Sequence, residues 1–295
     1  MNPLKLQTEV VAAPLAKRFD SGAECFAIGS CFASEIGERL AQSGIDVTLN
    51  PFGTLYNPAS IAAAVQRLAS PAPFTDDDVI YSEPLRRYNS FWHHTQFSSQ
   101  TVEGFLSGAN EALQAASDAF AKAELCLVTL GTAWVFRHLA SGRIVANCNK
   151  VPAKEFRRER LSVEETTDLL SKMIRANAGK EWIFTVSPIR HLADGAYGNS
   201  ISKATLLLAT EQLVQDFPNV HYFPAFEIMM DELRDYRFYA ENMTHPSAQA
   251  AEIIFSRFME YAFTPEAVDA ALLARKEYRR RQHRPLWEDS GSDKA

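Results

Sequence analysis

The sequence predicts an α/β fold in which helices cover both faces of a parallel sheet. Five segments have the composition of buried strands: residues 25–29, 45–49, 125–131, 182–187 and 220–226. Most of them are near-continuous apolar runs, as strands buried on both faces require. Five helix-like stretches lie between these runs: residues 33–44, 59–69, 102–123, 163–177 and 199–217. This alternation of strand and helix is typical of a parallel sheet with helices on both sides.

Composition indicates an ordinary globular protein. The chain has 295 residues, of which 46% are hydrophobic and 22% charged, and it contains no internal repeat or Gly/Ser-rich linker. We therefore expect one domain over residues 1–264, followed by a C-terminal helix and a flexible charged tail over 265–295. The first twenty residues hold no secretory apolar segment and no stretch approaches about 18 apolar residues, so we expect a cytoplasmic location without membrane contact.

The charge and cysteine pattern excludes several classes of partner. A formal net charge of −6 disfavours nucleic acid. Residues 275–285 carry six arginines and lysines, which favour the basic end of a terminal helix over an anion-binding patch. The four cysteines (Cys25, Cys31, Cys126 and Cys148) form no C-x-x-C pair, which argues against structural zinc or disulfides. We expect no cofactor, and the sequence leaves the oligomeric state open.

The first strand ends at "FAIGSC", residues 26–31, where a hydroxyl and a thiol precede a helix. Ser30 there lies at the carboxyl edge of the sheet, beside the free N–H groups of a helix N-terminus. That position suits a nucleophile, although Ser is also a favoured helix N-cap. Cys31 is a less favoured nucleophile, even though a helix N-terminus lowers a thiol pKa.

Ligand sites of parallel sheets form beyond the carboxyl ends of the strands. The later junctions are residues 50–53, 131–132 and 187–191, and the fifth run is followed by 227–251. His245 precedes a predicted helix that Pro246 would start, so it is a candidate general base for Ser30. The backbone N–H groups of Ser30 and Gly53 are candidate oxyanion donors, because a glycine permits close approach of a substrate. Gly131, at the third junction, adds a candidate substrate contact.

Two insertions interrupt the alternation of strand and helix. Residues 71–100 and 137–160 are rich in polar, aromatic and turn-forming residues, and we expect irregular insertions of this kind at the carboxyl edge to carry function. Within the first insertion, His93 and His94 could join His191 at a metal site, but substrate contact or packing is favoured because no carboxylate has ligand spacing.

A cationic set lies at the fourth junction and in the helix that follows it. Arg190, His191 and Lys203 suit the recognition of an anionic group, or an ion-pair network that fixes the loop before His245. The sequence favours neither alternative. We count Arg190 and His191 among the candidate substrate-binding residues.

Six motifs in order resemble the GSCFA-domain family, a branch of the SGNH/GDSL hydrolases. They are "IGSCFASEIG", "NPFGTLYNP", "TLGTAWVF", "SPIRH", "DELRDYRFY" and "HPS", and they extend from about residue 25 to residue 260. The resemblance implies a three-layer αβα, flavodoxin-like fold and a serine ester hydrolase or acyltransferase. It also implies that Ser30 is the nucleophile, His245 the base and Gly53 an oxyanion donor.

The chain departs from the wider superfamily in two places. Residues 131–134 read "GTAW" instead of Gly-x-Asn-Asp, so the third oxyanion donor is missing there, and Asn57 and Asn147 are the nearest substitutes by type. Asn242 stands three residues before His245, where the superfamily has Asp. An amide can orient an imidazole but cannot stabilise imidazolium by charge. Glu241, Asp231 or Asp235 are candidates for the missing carboxylate.

These observations predict a serine-dependent hydrolase or acyltransferase that forms an acyl-enzyme on Ser30. The expected partner is a small-molecule or glycan ester. The resemblance to the SGNH/GDSL hydrolases, together with the aromatic content, suggests an O-acylated carbohydrate. The competing prediction is a catalytically weakened or inactive binding protein of the same fold. Asn242 and Ala133 favour this second prediction, whereas Ser30 and His245 favour the enzyme.

Overall fold

The computed structural model describes residues 7–282. The strands in this part of the chain are β1 (Cys25–Gly29), β2 (Val47–Leu49), β3 (Val79–Ser82), β4 (Arg87–Ser90), β5 (Leu125–Leu130), β6 (Trp134–His138), β7 (Ile144–Val145), β8 (Phe156–Arg160), β9 (Glu181–Val186) and β10 (Val220–Tyr222). The helices are α1 (Cys31–Gln42), α2 (Pro58–Ala69), α3 (Val102–Lys122), α4 (Val163–Ala176), α5 (Gly195–Asp216), α6 (Ala225–Glu227), α7 (Ala248–Ala262) and α8 (Pro265–Gln282). A π-helical turn, Ile228–Glu232, continues α6, and 3₁₀ turns occur at Asp76–Asp78, Thr95–Phe97, Ala153–Glu155, Leu192–Asp194 and Tyr236–Phe238.

A five-stranded parallel sheet forms the centre of the molecule, in the order β10-β9-β5-β1-β2. Counted along the chain, this is the flavodoxin-like order 2-1-3-4-5, whose switch point lies between β1 and β5. Gly29, the last residue of β1, is paired with Thr129 of β5. The carboxyl ends of these two strands therefore open the crevice in which ligands of such sheets bind.

Apolar side chains on the two faces of the sheet enter two separate cores. Phe26 and Ile28 of β1 pack in one core with residues of α2, α3, α4 and α5. Ala27 of the same strand packs in the other core with residues of α1, α7 and α8. Because neighbouring residues of a strand point to opposite faces, this division shows three layers, αβα. The predicted fold class is confirmed.

The two insertions are more regular than the sequence suggests. β3 and β4 form an antiparallel hairpin, and β6, β7 and β8 form a small antiparallel sheet that begins directly after β5. β8 reads "FRRER", so it lacks the apolar pattern that predicts a strand, and only its pairing with β6 defines it. The second insertion thus leaves the carboxyl edge of the sheet at Gly131.

The C-terminal part includes α8, whose last turn carries Arg279, Arg280 and Arg281. Residues 283–295, where we expect the charged tail, lie outside the described residues. Within residues 7–282, no helix combines the length and the apolar character that crossing a bilayer requires.

Candidate functional site

Ser30 lies at the switch point, between the end of β1 and the start of α1. Its side chain is fully buried, and its Oγ accepts a hydrogen bond from the Phe32 N–H at 3.3 Å as the N-cap of the helix. The preceding Gly29 has a φ of +141°, and a Cβ there would lie 2.2 Å from the carbonyl oxygen of Thr129. Only glycine fits this close approach of two strands, so Gly29 sets the position of Ser30.

The two N–H groups proposed from the sequence as oxyanion donors are both engaged. The Ser30 N–H donates to the Thr129 carbonyl oxygen at 3.0 Å, and the Gly53 N–H donates to that of Asn50 at 2.8 Å. Gly53 has a φ of +82°, and a Cβ there would lie 2.3 Å from His94 Cβ, so it permits close packing of the first insertion. At the start of α1, the N–H of Cys31 has no intrahelical acceptor and is the donor nearest in sequence to the Ser30 hydroxyl.

Gly131 brings Ser30 and His191 to the same small space. A Cβ placed on Gly131 would lie 3.2 Å from Ser30 Cβ, 3.3 Å from His191 Nε2 and 3.0 Å from the Tyr56 carbonyl oxygen. That carbonyl accepts the N–H groups of Gly131 and Thr132, each at 2.9 Å. The strand ends of β1, β5 and β9 therefore converge on one point, as predicted for the carboxyl edge of the sheet.

His191 presents a buried ring nitrogen to this space. Its Nε2 is buried without a hydrogen-bond partner among the described residues. The ring packs edge-to-face on Tyr56, with ring centroids 5.6 Å apart. The backbone N–H of His191 donates to Asn199 Oδ1 at 2.9 Å. Burial first, then the positive charge of Lys203, lowers the pKa of His191 to about 4. His191 is therefore a neutral imidazole at pH 7.

Lys203 is a buried cationic group directly beneath the site. Its Nζ donates to the carbonyl oxygens of Gly131 at 2.8 Å and Ser187 at 2.7 Å. Burial lowers its pKa to about 7. The side chain thus joins the ends of β5 and β9, the two junctions that hold Gly131 and His191. Its hydrogen bonds are to carbonyl oxygens of the fold, so its contacts are structural.

His245 is held by an amide instead of a carboxylate. Its Nδ1 lies 2.9 Å from Asn242 Nδ2 and 3.1 Å from Thr244 Oγ1. The loop is fixed against the His191 segment, because the Arg190 N–H donates to the Thr244 carbonyl oxygen at 3.1 Å. The charge of His245 also contributes to the lowered pKa of His191, so the two imidazoles share one electrostatic environment.

The candidate carboxylates have other surroundings. Asp235 caps the 3₁₀ turn at Tyr236–Phe238 by accepting the Arg237 N–H at 3.0 Å. Asp231 and Glu241 are exposed. In residues 7–282, no carboxylate lies within hydrogen-bonding distance of the His245 ring.

The two asparagines considered as oxyanion donors differ in their surroundings. Asn57 is buried and its Oδ1 caps α2 by accepting the Ser60 N–H at 2.9 Å. Its amide nitrogen is thereby directed away from that helix end and remains a candidate donor. Asn147 belongs to the second insertion, where its Oδ1 accepts the Asn149 N–H at 2.9 Å.

His93 is a core residue of the first insertion. It is fully buried, and its ring packs on those of Phe52, Phe74, Phe97 and Phe105 with centroids 4.6–5.4 Å apart. Its Nδ1 is hydrogen-bonded to Ser90 Oγ at 2.7 Å. Burial lowers its pKa to about 3. Among residues 7–282, no cluster of three or more His, Cys, Asp or Glu side chains is placed to hold a metal ion.

Sequence reasoning missed two groups that fix the site. Asn50, with a φ of +42°, accepts the Gly29 N–H at 2.8 Å and donates to Ser34 Oγ at 3.0 Å. Arg158 on β8 makes two hydrogen bonds of 2.6–2.7 Å to Asp194, three residues after His191. An asparagine at a strand end is a signal for the first group, but nothing local in "FRRER" indicates the second.

The sequence model of the GSCFA family matches residues 24–258 of this chain. That range contains Ser30, Gly131, His191 and His245. No curated protein matches the sequence, and no solved structure does.

Proposed function

The chain belongs to the GSCFA family, and on this premise we propose that it is a serine hydrolase or acyltransferase of the SGNH/GDSL type. The proposed substrate is an ester, of which an O-acylated carbohydrate is the first class to test. The proposal assigns the nucleophile to Ser30 and expects an acyl-enzyme intermediate. We further propose that it acts in the cytoplasm.

One observation carries this proposal. At the switch point of the sheet, a Cβ built on Gly131 would lie 3.2 Å from Ser30 Cβ and 3.3 Å from His191 Nε2, which has no hydrogen-bond partner among residues 7–282. A serine and a neutral imidazole that border one space are the residue types that nucleophilic catalysis needs. The helix N-terminus at Cys31 supplies positive potential where negative charge develops on the substrate oxygen.

The proposed reaction has two halves. Ser30 Oγ attacks the carbonyl carbon of the ester, an imidazole takes the hydroxyl proton, and the leaving alcohol receives that proton as the C–O bond breaks. Water or a sugar hydroxyl then attacks the acyl-enzyme and returns its proton to Ser30 by way of the same imidazole. Water makes the protein an esterase, and a sugar hydroxyl makes it a transferase.

A second candidate function, a binding protein with little or no catalysis, rests on Asn242. Its amide occupies the position from which a carboxylate would stabilise protonated His245. The full burial of Ser30 also favours this alternative, because a substrate reaches the hydroxyl only after a local movement.

Hydrolysis of p-nitrophenyl acetate, butyrate and octanoate tests the proposal, with intact mass measured after rapid acid quenching. We expect release of p-nitrophenol and an acyl adduct on the wild type, and neither on Ser30→Ala. Ser162→Ala is the matched control, because Ser162, like Ser30, is the N-cap of a helix, α4. Equal turnover by the wild type and Ser30→Ala would contradict the proposal, and saturable ligand binding without turnover would favour the alternative.

A further inference from the structure

The amide of Asn242 has only one orientation that satisfies its contacts. Its Oδ1 lies 3.0 Å from each of the backbone nitrogens of Thr244 and His245. Both are N–H donors and must face an oxygen, so the amide nitrogen is left to face His245 Nδ1 at 2.9 Å. An amide nitrogen only donates, which makes His245 Nδ1 an acceptor. The Thr244 hydroxyl, 3.1 Å from Nδ1 and 3.0 Å from Asn242 Oδ1, agrees with this when it donates to Nδ1.

This contact fixes the tautomer of His245. A neutral imidazole with an acceptor at Nδ1 carries its proton on Nε2. In that form Nε2 can donate a hydrogen bond but has no lone pair to receive the Ser30 proton. An aspartate at position 242 would accept from Nδ1–H and leave Nε2 free, which is the arrangement a general base requires.

His191 has the complementary arrangement. Its buried Nε2 has no partner in residues 7–282 and shares the space at Gly131 with the Ser30 side chain. Burial, and then the charges of Lys203, His245 and Arg158, lower the pKa of His191 and keep the ring neutral in the resting protein, as a base must be before the reaction, whereas Asp194 raises that pKa. The Ser30 side chain must rotate away from its cap for the hydroxyl to reach this nitrogen.

We infer that His191 is the general base for Ser30 and that His245 acts at the same site as a hydrogen-bond donor through Nε2. This inference rests on the proposed function. The Ser30 hydroxyl proton passes to His191 Nε2 as the bond from Oγ to the carbonyl carbon forms. His191 then gives this proton to the leaving alcohol as the C–O bond of the ester breaks. In this assignment the Nε2–H of His245 donates to the substrate ester, in place of the side-chain donor that "GTAW" lacks.

The rate at which a fluorophosphonate modifies Ser30 tests the assignment, followed by intact mass on the full chain. We expect His191→Gln to lower this rate by at least about 10²-fold, the usual size of a general-base contribution. We expect His245→Gln to lower it by less than about tenfold. His221→Gln is the matched control, since His221 on β10 is hydrogen-bonded at 3.0 Å to Glu181 on β9. Thermal unfolding of each variant confirms that it is folded.

The outcomes separate this inference from the proposed function. A wild type that acquires no adduct on Ser30 overturns both. A wild type that is modified, with a loss in His245→Gln equal to or greater than that in His191→Gln, overturns the assignment of the base alone.

Ring ¹⁵N shifts provide a readout that does not depend on activity. At a pH where both rings are neutral, we expect His245 to carry its proton on Nε2 in the wild type and on Nδ1 in Asn242→Asp. We expect His191 to carry its proton on Nδ1. The Nδ1–H form of His245 in the wild type would overturn the inference even if esters are hydrolysed.

Discussion

Substitution of Gly131 by alanine tests whether Ser30 and His191 share one space. The new methyl group would lie 3.0 Å from the Tyr56 carbonyl oxygen, 3.2 Å from Ser30 Cβ and 3.3 Å from His191 Nε2. All three distances are shorter than ordinary contacts of a Cβ, so each neighbour must move by a few tenths of an ångström. Overpacking of this kind costs about 1–3 kcal/mol of unfolding free energy. Since a misplacement of about 1 Å costs about 10²-fold in rate, we expect about a tenfold loss of Ser30 reactivity.

Fluorophosphonate modification and urea unfolding measure the two effects of Gly131→Ala on the same samples. Gly108→Ala is the matched control, because Gly108 lies exposed in α3 and a Cβ there meets no atom within 4 Å. The control should keep the wild-type reactivity and gain up to about 1 kcal/mol from helix propensity. Wild-type reactivity in Gly131→Ala would refute the close arrangement of Ser30, Gly131 and His191.

Three further predictions concern the groups around the site. Burial lowers the pKa of His93 to about 3 from 6.5, so the unfolded chain binds a proton at this residue before the folded chain does. The free energy of unfolding therefore falls as the pH drops from about 6.5 to 3. Urea titrations at pH 7 and pH 5 should show a smaller fall in His93→Phe than in the wild type. Burial lowers the pKa of Lys203 to about 7 from 10.5, so the free energy of unfolding of the wild type should rise as the pH increases from about 7 to 10.5. Lys203→Met should lose about 2–4 kcal/mol of this free energy at pH 9, because two carbonyl groups are left unpaired. It should lose less at pH 6 and show no such rise. Arg158→Ala breaks the two hydrogen bonds to Asp194 and should slow fluorophosphonate modification of Ser30 several-fold, whereas the control Arg157→Ala should not. Equal modification rates in Arg158→Ala and the wild type would show that β8 does not position the His191 segment.

Much of the fold could be predicted, because burial on both faces leaves a plain trace in sequence. The run at 25–29 coincides with β1, and the helix expected at 59–69 begins one residue earlier, at Pro58. The insertions could not be predicted in the same way. Their strands are short and have exposed faces, so pairing between distant segments, such as Trp134 with Arg160, defines them.

The sequence predicts which residues lie at the site better than it predicts the contacts that those residues make. Junction residues at the ends of parallel strands must meet at one edge, and Ser30, Gly131 and His191 do so. Sequence does not show which N–H groups the fold has already used, so the engagement of the Ser30 and Gly53 donors emerged only in the structure. The tautomer of His245 likewise depends on which atoms of Asn242 face the backbone.

Peptide mapping after treatment with a fluorophosphonate tests the central claim most directly, because it needs no knowledge of the substrate. We expect one adduct per chain on the wild type, located on Ser30 and absent from folded Ser30→Ala. An unmodified Ser30 in folded wild-type protein, or an adduct that persists in Ser30→Ala, would contradict it.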